Sequence, residues 1–317
     1  MEGMNNSVSS IVSLENELFQ VCISPVGGEV CSFSSKKSGI EYIWRGDDEV
    51  WGSTAPVLFP IIGVLKDGYC LFEGEKYSIP KHGFIRNSSN LVIENQTSNS
   101  LHFSLSSSDQ TKVMFPFDFR FHIKFKLLNS TLSISHKIEN LSKDKPMFFS
   151  LGAHPAFNCP FDREDNYSDY FIEFDQVESA QRCCVLPDGT IGIDKEPLID
   201  NTNVVLLNHD LFKKDALIFK DLKSRKVFLK SKKNNNSVEV QFQDFEYLGT
   251  WAKTNGDFVC IEPWLGISDS CLTNHELQEK EGIIRLEANS QYSASYSIKI
   301  NEGLRSPQSP HLFCYFL

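Results

Sequence analysis

The sequence predicts an all-β protein, a large antiparallel sandwich or barrel with few short helices. Three observations predict it. Apolar and polar residues alternate in phase over many short stretches, turn-forming clusters separate those stretches, and helical periodicity is rare. Alternation with a period of two marks a strand with one buried face. Many such strands at close spacing mark a sandwich or barrel. The 317 residues suffice for two ordinary domains or one large all-β domain. No internal repeat or linker divides them, so the chain reads as one domain over 1–317.

The elements follow in chain order. The opening "MEGMNNSVSSIVSLENELF" has no basic start and no apolar run, so neither an export signal nor a membrane span is expected. In "RFHIKFKLLN", Phe121, Ile123, Phe125 and Leu127 share one face, and Arg120, His122, Lys124 and Lys126 the other. "NST" turns this strand into "TLSISHKIEN", where Leu132, Ile134, His136 and Ile138 are in phase; His136 reads as a core or edge histidine. Further strands are "YFIEFD", "ALIF", "KVFLKS", "SVEVQF" and "YSASYSIKI", with turns at "LPDGT", "KDLKSR" and "KKNNNS". The basic run Lys230–Lys233 falls at such a turn and reads as a solvated hairpin tip. "NHELQEKEG" (274–282) predicts one short helix. The tail 302–317 is Ser/Pro-rich and then apolar, and it breaks the pattern.

Composition bounds the partners. The net charge of −10 opposes nucleic acid and anionic lipid. Nine scattered cysteines with no CxxC pair, and no export signal, read as reduced thiols in a cytoplasm. There is no GxSxG, Walker A loop or HExxH, and the SxxK match at Ser34–Lys37 sits in a low-complexity setting. The acidic stretch "DREDNYSDYFIE" lacks the glycine and spacing of a calcium loop. No metal or organic cofactor is expected.

Three apolar stretches each carry a titratable group out of keeping with its neighbours. "IPKHGFIRN" holds His82 and Arg86, "SLGAHPAFNCP" holds His154, and "FVCIEPWLGISDS" holds Glu262. A carboxylate at the end of an apolar strand is costly to desolvate. Burial raises its pKa toward the range of a general base. Each group also has a structural reading: Glu262 paired with an arginine, His154 and His82 as hydrogen-bonded loop or turn histidines, Arg86 in an ion pair. His102, His122, His209, His275 and His311 have nothing around them to suggest a site. If the chain after His82 is extended, His82, Phe84 and Arg86 share one face. A base, an acid and a second histidine in an aromatic-rich β scaffold suit a sugar, whose apolar faces pack on rings and whose hydroxyls need polar partners.

Four stretches together, "APVLFPIIGVLKDG", "KHGFIRN", "SLGAHPAFNCP" and "CIEPWLGISDS", resemble the aldose 1-epimerase (galactose mutarotase-like) superfamily, and within it the LacX-like branch. The resemblance covers about 14–300. It implies a β-supersandwich, no cofactor, and interconversion of the α and β anomers of a free hexose. It assigns His154 to protonation of the ring oxygen and Glu262 to removal of the anomeric hydroxyl proton. His82 becomes the second histidine beside the sugar, and Asp215 in "LFKKDALIF" the carboxylate gripping sugar hydroxyls. One departure stands out: relatives often carry Arg after the glycine of "FPIIG", where this chain has Val64, and Lys66 is a candidate substitute. Lys66, Lys81 and Arg86 raise the alternative of a hexose-6-phosphate epimerase. Val64 raises that of a sugar-binding or regulatory protein without turnover. The expected partner in every case is a monosaccharide.

Overall fold

The computed structural model describes residues 10–303. Its frame is a nine-stranded antiparallel sheet and a shorter six-stranded one. The large sheet runs Ile191–Leu206, Tyr170–Val185, Lys226–Ser231, Ser237–Gln241, Gln291–Asn301, Thr131–Asn140, Phe119–Leu128, Ser100–Ser106 and Val92–Gln96. The smaller sheet runs Leu217–Phe219, Tyr247–Trp251, Phe258–Leu265, Leu151–Ala153 and Val57–Leu58, and Ala156–Asn158 also pairs with Phe258–Leu265. Val12–Glu15, Phe19–Ser24 and Glu29–Ser35 form a three-stranded sheet.

The alternation read from the sequence sets the faces of the large sheet. Phe121, Ile123, Phe125 and Leu127 are buried on one side of their strand, and Ile134 of the next strand lies opposite Phe125 and Tyr296. Aromatic rings bridge the layers. Phe59, from the edge of the smaller sheet, packs within 5.2–5.6 Å of Phe119, Phe121 and Phe149. His136 is 1% exposed, between Phe121 and Tyr296. His122 belongs to the polar side by phase yet is also buried, covered there by His102 and Glu139.

The basic run ends the strand Lys226–Ser231 and begins the turn to Ser237–Gln241. Two expectations change. Residues 274–282 form a single 3₁₀ turn, Leu277–Glu279, because three of its neighbours, Asn274, His275 and Glu276, are held in side-chain-bonded and left-handed turn conformations. The α-helix among the described residues is Asp109–Met114, started by a Ser108–Thr111 capping box. Of the atypical tail, Glu302 accepts hydrogen bonds from Ser38 and Tyr42, and Gly303 donates to Asn236. Residues 304–317, with His311, lie outside the described residues, as do 1–9. No helix among the described residues is long and apolar enough to cross a membrane.

Candidate active site

The strand Phe258–Leu265 is buried along its whole length, and Glu262 stands in its middle, opposite Gly249. On its other side the partner strand is broken. Leu151–Ala153 pairs with its end and Ala156–Asn158 with its start, and the common register puts His154 opposite Glu262 in the gap. Pro155 lies in the same gap, has no N–H to give to a ladder, and accepts from Ile261 through its carbonyl at 3.1 Å. The His154 N–H donates instead to Pro56 O at 3.0 Å, away from the partner strand. The interruption frees the imidazole to meet the carboxylate, with Nε2 of His154 3.1 Å from Oε2 of Glu262.

Both groups are buried, His154 at 8% exposure and Glu262 at 1%. Burial pushes the Glu262 carboxyl well above its usual range, with Lys81 opposing and Asp215 reinforcing the shift. Burial also lowers the His154 imidazole to about 3, helped by the nearby Arg86. The short contact is therefore between two groups that burial pushes toward their neutral forms. Neither oxygen of Glu262 has a well-aligned hydrogen-bond donor; the Trp264 indole N–H is near enough to oppose the carboxyl's upward shift, and the backbone at His154 opposes the fall of its imidazole. Buried polar atoms without well-aligned partners are uncommon, and here the residues that carry them line one cavity.

His82 is fixed by its turn. Its own N–H donates to Gly63 O at 2.8 Å, and the Gly63 N–H donates back to its Nδ1 at 3.1 Å. Nδ1 must then be the unprotonated nitrogen, which leaves the proton on Nε2. Burial, the first cause, and neighbouring His154 hold this ring well below its usual pKa, so it is a neutral donor. Its ring stands edge-on to His154 at 5.6 Å.

The cavity has a volume of about 230 Å³ and is walled by His82, Arg86, His154, Glu262, Asp215, Lys81 and three tryptophans, Trp51, Trp251 and Trp264. Trp51 stacks on His154 at 5.1 Å, and Trp251 meets both edge-on. Trp264 lies over Gly249 and Gly152, where a Cβ would come within 2.7–2.8 Å of the indole. Lys81, Val185, Gly189 and Asp215 also line a wider outer groove of about 590 Å³. The proton-carrying pair therefore lies at the inner end of a depression large enough for a small polar molecule.

All five residues singled out from the sequence lie on this cavity. Two details differ from expectation. The chain after His82 is not extended: His82 and Gly83 have positive φ, Phe84 is αR, and Ile85–Asn87 is a 3₁₀ turn. Phe84 consequently faces the core, against Phe59, Phe115 and Phe119, while His82 and Arg86 still reach the cavity. Arg86 pairs with neither Glu262 nor Asp215; its guanidinium donates to Ser53 Oγ at 3.0 Å. Lys66 does not take the place of an arginine at position 64, because its Nζ donates to Cys271 O at 2.8 Å outside the cavity. Val64 lines the outer groove beside Gly189.

A search for relatives finds the aldose 1-epimerase family pattern over residues 10–285. The chain belongs to the aldose 1-epimerase family. Two LacX proteins of Lactococcus lactis subsp. lactis, plasmid and chromosomal, are each 32% identical over 297 residues, spanning 91% of this chain and 99% of theirs. A galactose mutarotase related enzyme from Lactobacillus acidophilus superposes with a TM-score of 0.87 at 32% identity, covering 92% of this chain and 98% of that one. A galactose mutarotase-like protein from Lactobacillus casei gives 0.86 at 26% identity, covering 92% and 100%. Against this aldose 1-epimerase background the sequence reading omitted the tryptophans. Trp264, two residues after Glu262, was the one with a local signal; Trp51 and Trp251 reach the cavity only through strand register and loop path.

Proposed function

We propose that the protein is an aldose 1-epimerase that interconverts the α and β anomers of a free hexose. The observation that supports it best is the Glu262–His154 pair, a carboxyl and an imidazole buried on the cavity wall 3.1 Å apart and each pushed toward its neutral form. The reaction needs that inventory. Sugar hydroxyls donating to Glu262 favour its carboxylate form and move its proton to His154. The carboxylate then removes the O1 proton, the O1 electrons form the C1=O1 bond, and the C1–O5 bond breaks. O5 keeps that electron pair and takes the proton from His154. The open-chain aldehyde faces a neutral acid and a neutral imidazole, the forms that burial favours. Rotation about C1–C2 presents the other face of the carbonyl, and closure runs the same transfers backward.

In this reading Nε2–H of His82 donates to a sugar oxygen near the ring, Arg86 and Asp215 hold hydroxyls, and the tryptophans cover apolar faces. A second reading, a hexose-6-phosphate epimerase, draws on Lys81 and Arg86. Neither cation has an ion pair among the described residues, and both face the cavity. Polarimetry on freshly dissolved α-D-glucose, α-D-galactose and their 6-phosphates separates the two. Acceleration with the free sugars is expected. Acceleration confined to the phosphates, lost selectively in Arg86→Leu, supports the second reading. Binding of a sugar without any acceleration refutes both and leaves a sugar-binding protein.

A further inference from the structure

Cys260 is two residues before Glu262 on the same strand, so both side chains leave the sheet on one face. Its thiol is fully buried and does not line the cavity. One nitrogen of His154, the sulfur of Cys260 and one oxygen of Glu262 all lie within 4.8 Å of one another. Among the described residues they are the one His/Cys/Asp/Glu group that comes this close. We infer that His154, Cys260 and Glu262 form a binding site for a thiophilic divalent cation such as Zn²⁺, overlapping the proton-transfer pair.

The donor set fits that ion. Zinc takes sulfur, imidazole nitrogen and carboxylate oxygen at about 2.0–2.3 Å, so tetrahedral ligands sit roughly 3.3–3.6 Å apart. Small side-chain rotations bring the three donors to that spacing from within 4.8 Å. A thiolate, a carboxylate and a neutral imidazole carry two negative charges, which cancel those of a dication, and burial of all three side chains favours such a neutral set. Mg²⁺ and Ca²⁺ prefer oxygen ligands and more of them, so the site discriminates against both. Three protein ligands leave a fourth position for water or another ligand. A bound ion occupies the two groups proposed to exchange protons with the sugar, so ion and monosaccharide exclude each other.

The test is titration of the intact chain with Co²⁺, read by its thiolate charge-transfer absorption, with Zn²⁺ as competitor. One Co²⁺ per chain with a thiolate band, displaced by Zn²⁺ and not by Mg²⁺, is expected. Cys260→Ser should abolish the band and weaken Co²⁺ binding by at least about tenfold, the lower end of losses at metal sites. His154→Asn should keep the band and weaken binding similarly. Cys260→Ala serves if the serine variant does not fold. Zn²⁺ should raise the KM for sugar without changing kcat, and Cys260→Ser should keep metal-free turnover within about threefold while losing that inhibition. No thiolate band, a band that survives in Cys260→Ser, or unchanged affinity there overturns the site. The spectroscopic arms hold whether or not the chain turns over a sugar, so failure of the epimerase reading is distinguishable from failure of the metal site.

Discussion

Glu262 and His154 titrate as one unit because each is buried and each faces the other at 3.1 Å. Burial raises the acid and lowers the imidazole to about 3, so both are held toward their neutral forms. The apparent pKa values belong to the pair. On the proposed function, kcat/KM should therefore show no inflection at the ordinary imidazole value near 6.5. An inflection near the ordinary imidazole value would mean that His154 titrates alone, against the coupling. Glu262→Gln is nearly isosteric and cannot take a proton, so it should keep sugar binding and lose about 10²-fold or more in kcat. Turnover within about threefold of wild type would remove Glu262 as the base. These residues were legible because a lone titratable group in an apolar run is conspicuous. Cys260 was not, since a thiol inside "FVCIEPW" looks like any buried apolar residue until strand alternation and a broken neighbour place it beside His154.

At the scale of elements, the turn that carries His82 is held by a glycine in close quarters. Gly83 has φ 76°, and a Cβ there would lie 2.0 Å from Phe59 O, the carbonyl that accepts from the Phe84 N–H. Gly74 has a similar φ of 81° in open space, so it isolates the backbone cost alone. Gly74→Ala should lower stability by about 1 kcal/mol, the usual order for a residue forced left-handed. Gly83→Ala should cost clearly more, because the turn must also move off Phe59, and that shift should displace His82 and raise KM several-fold. Equal loss of thermal stability in the two variants, with KM unchanged, would show that the turn tolerates the shift. The same turn shows the limit of the sequence reading. "HGFIR" gave the correct residues but the wrong path, since two consecutive positive φ angles cannot be read from a histidine followed by glycine. Regular strands such as Phe119–Leu128 were legible because both their faces are uniform. The long hairpin of Tyr170–Val185 and Ile191–Leu206 was legible only at its start, because repeated register shifts break its alternation.

Across the whole molecule, buried histidines tie stability to pH in a direction that can be worked out. His136, stacked with Tyr296 and held at about pKa 4 by burial, is neutral when folded and takes a proton near 6.5 when unfolded. His82 behaves the same way, burial again being the first cause. Between about pH 4.5 and 6.5 the unfolded chain therefore binds more protons at His136, and stability rises with pH; His82 contributes in the same direction. The raised Glu262 carboxyl acts in the opposite sense: folded, it keeps its proton to higher pH than unfolded, so its contribution falls as pH rises. His136 offers the cleanest test, because it lies on the large sheet away from the cavity, and burial outweighs the opposing hydrogen bond with the Ala294 backbone. His136→Leu keeps an apolar group between Phe121 and Tyr296 and removes the proton site. From pH 5 to pH 7, urea unfolding of the wild type should gain about 2 kcal/mol more than the variant does, the linkage expected of one group moving from 6.5 to about 4. At pH 5 the variant should match or exceed the wild type. An identical pH dependence in the two proteins would mean that His136 is protonated in the folded state, and that the core around it admits a charge.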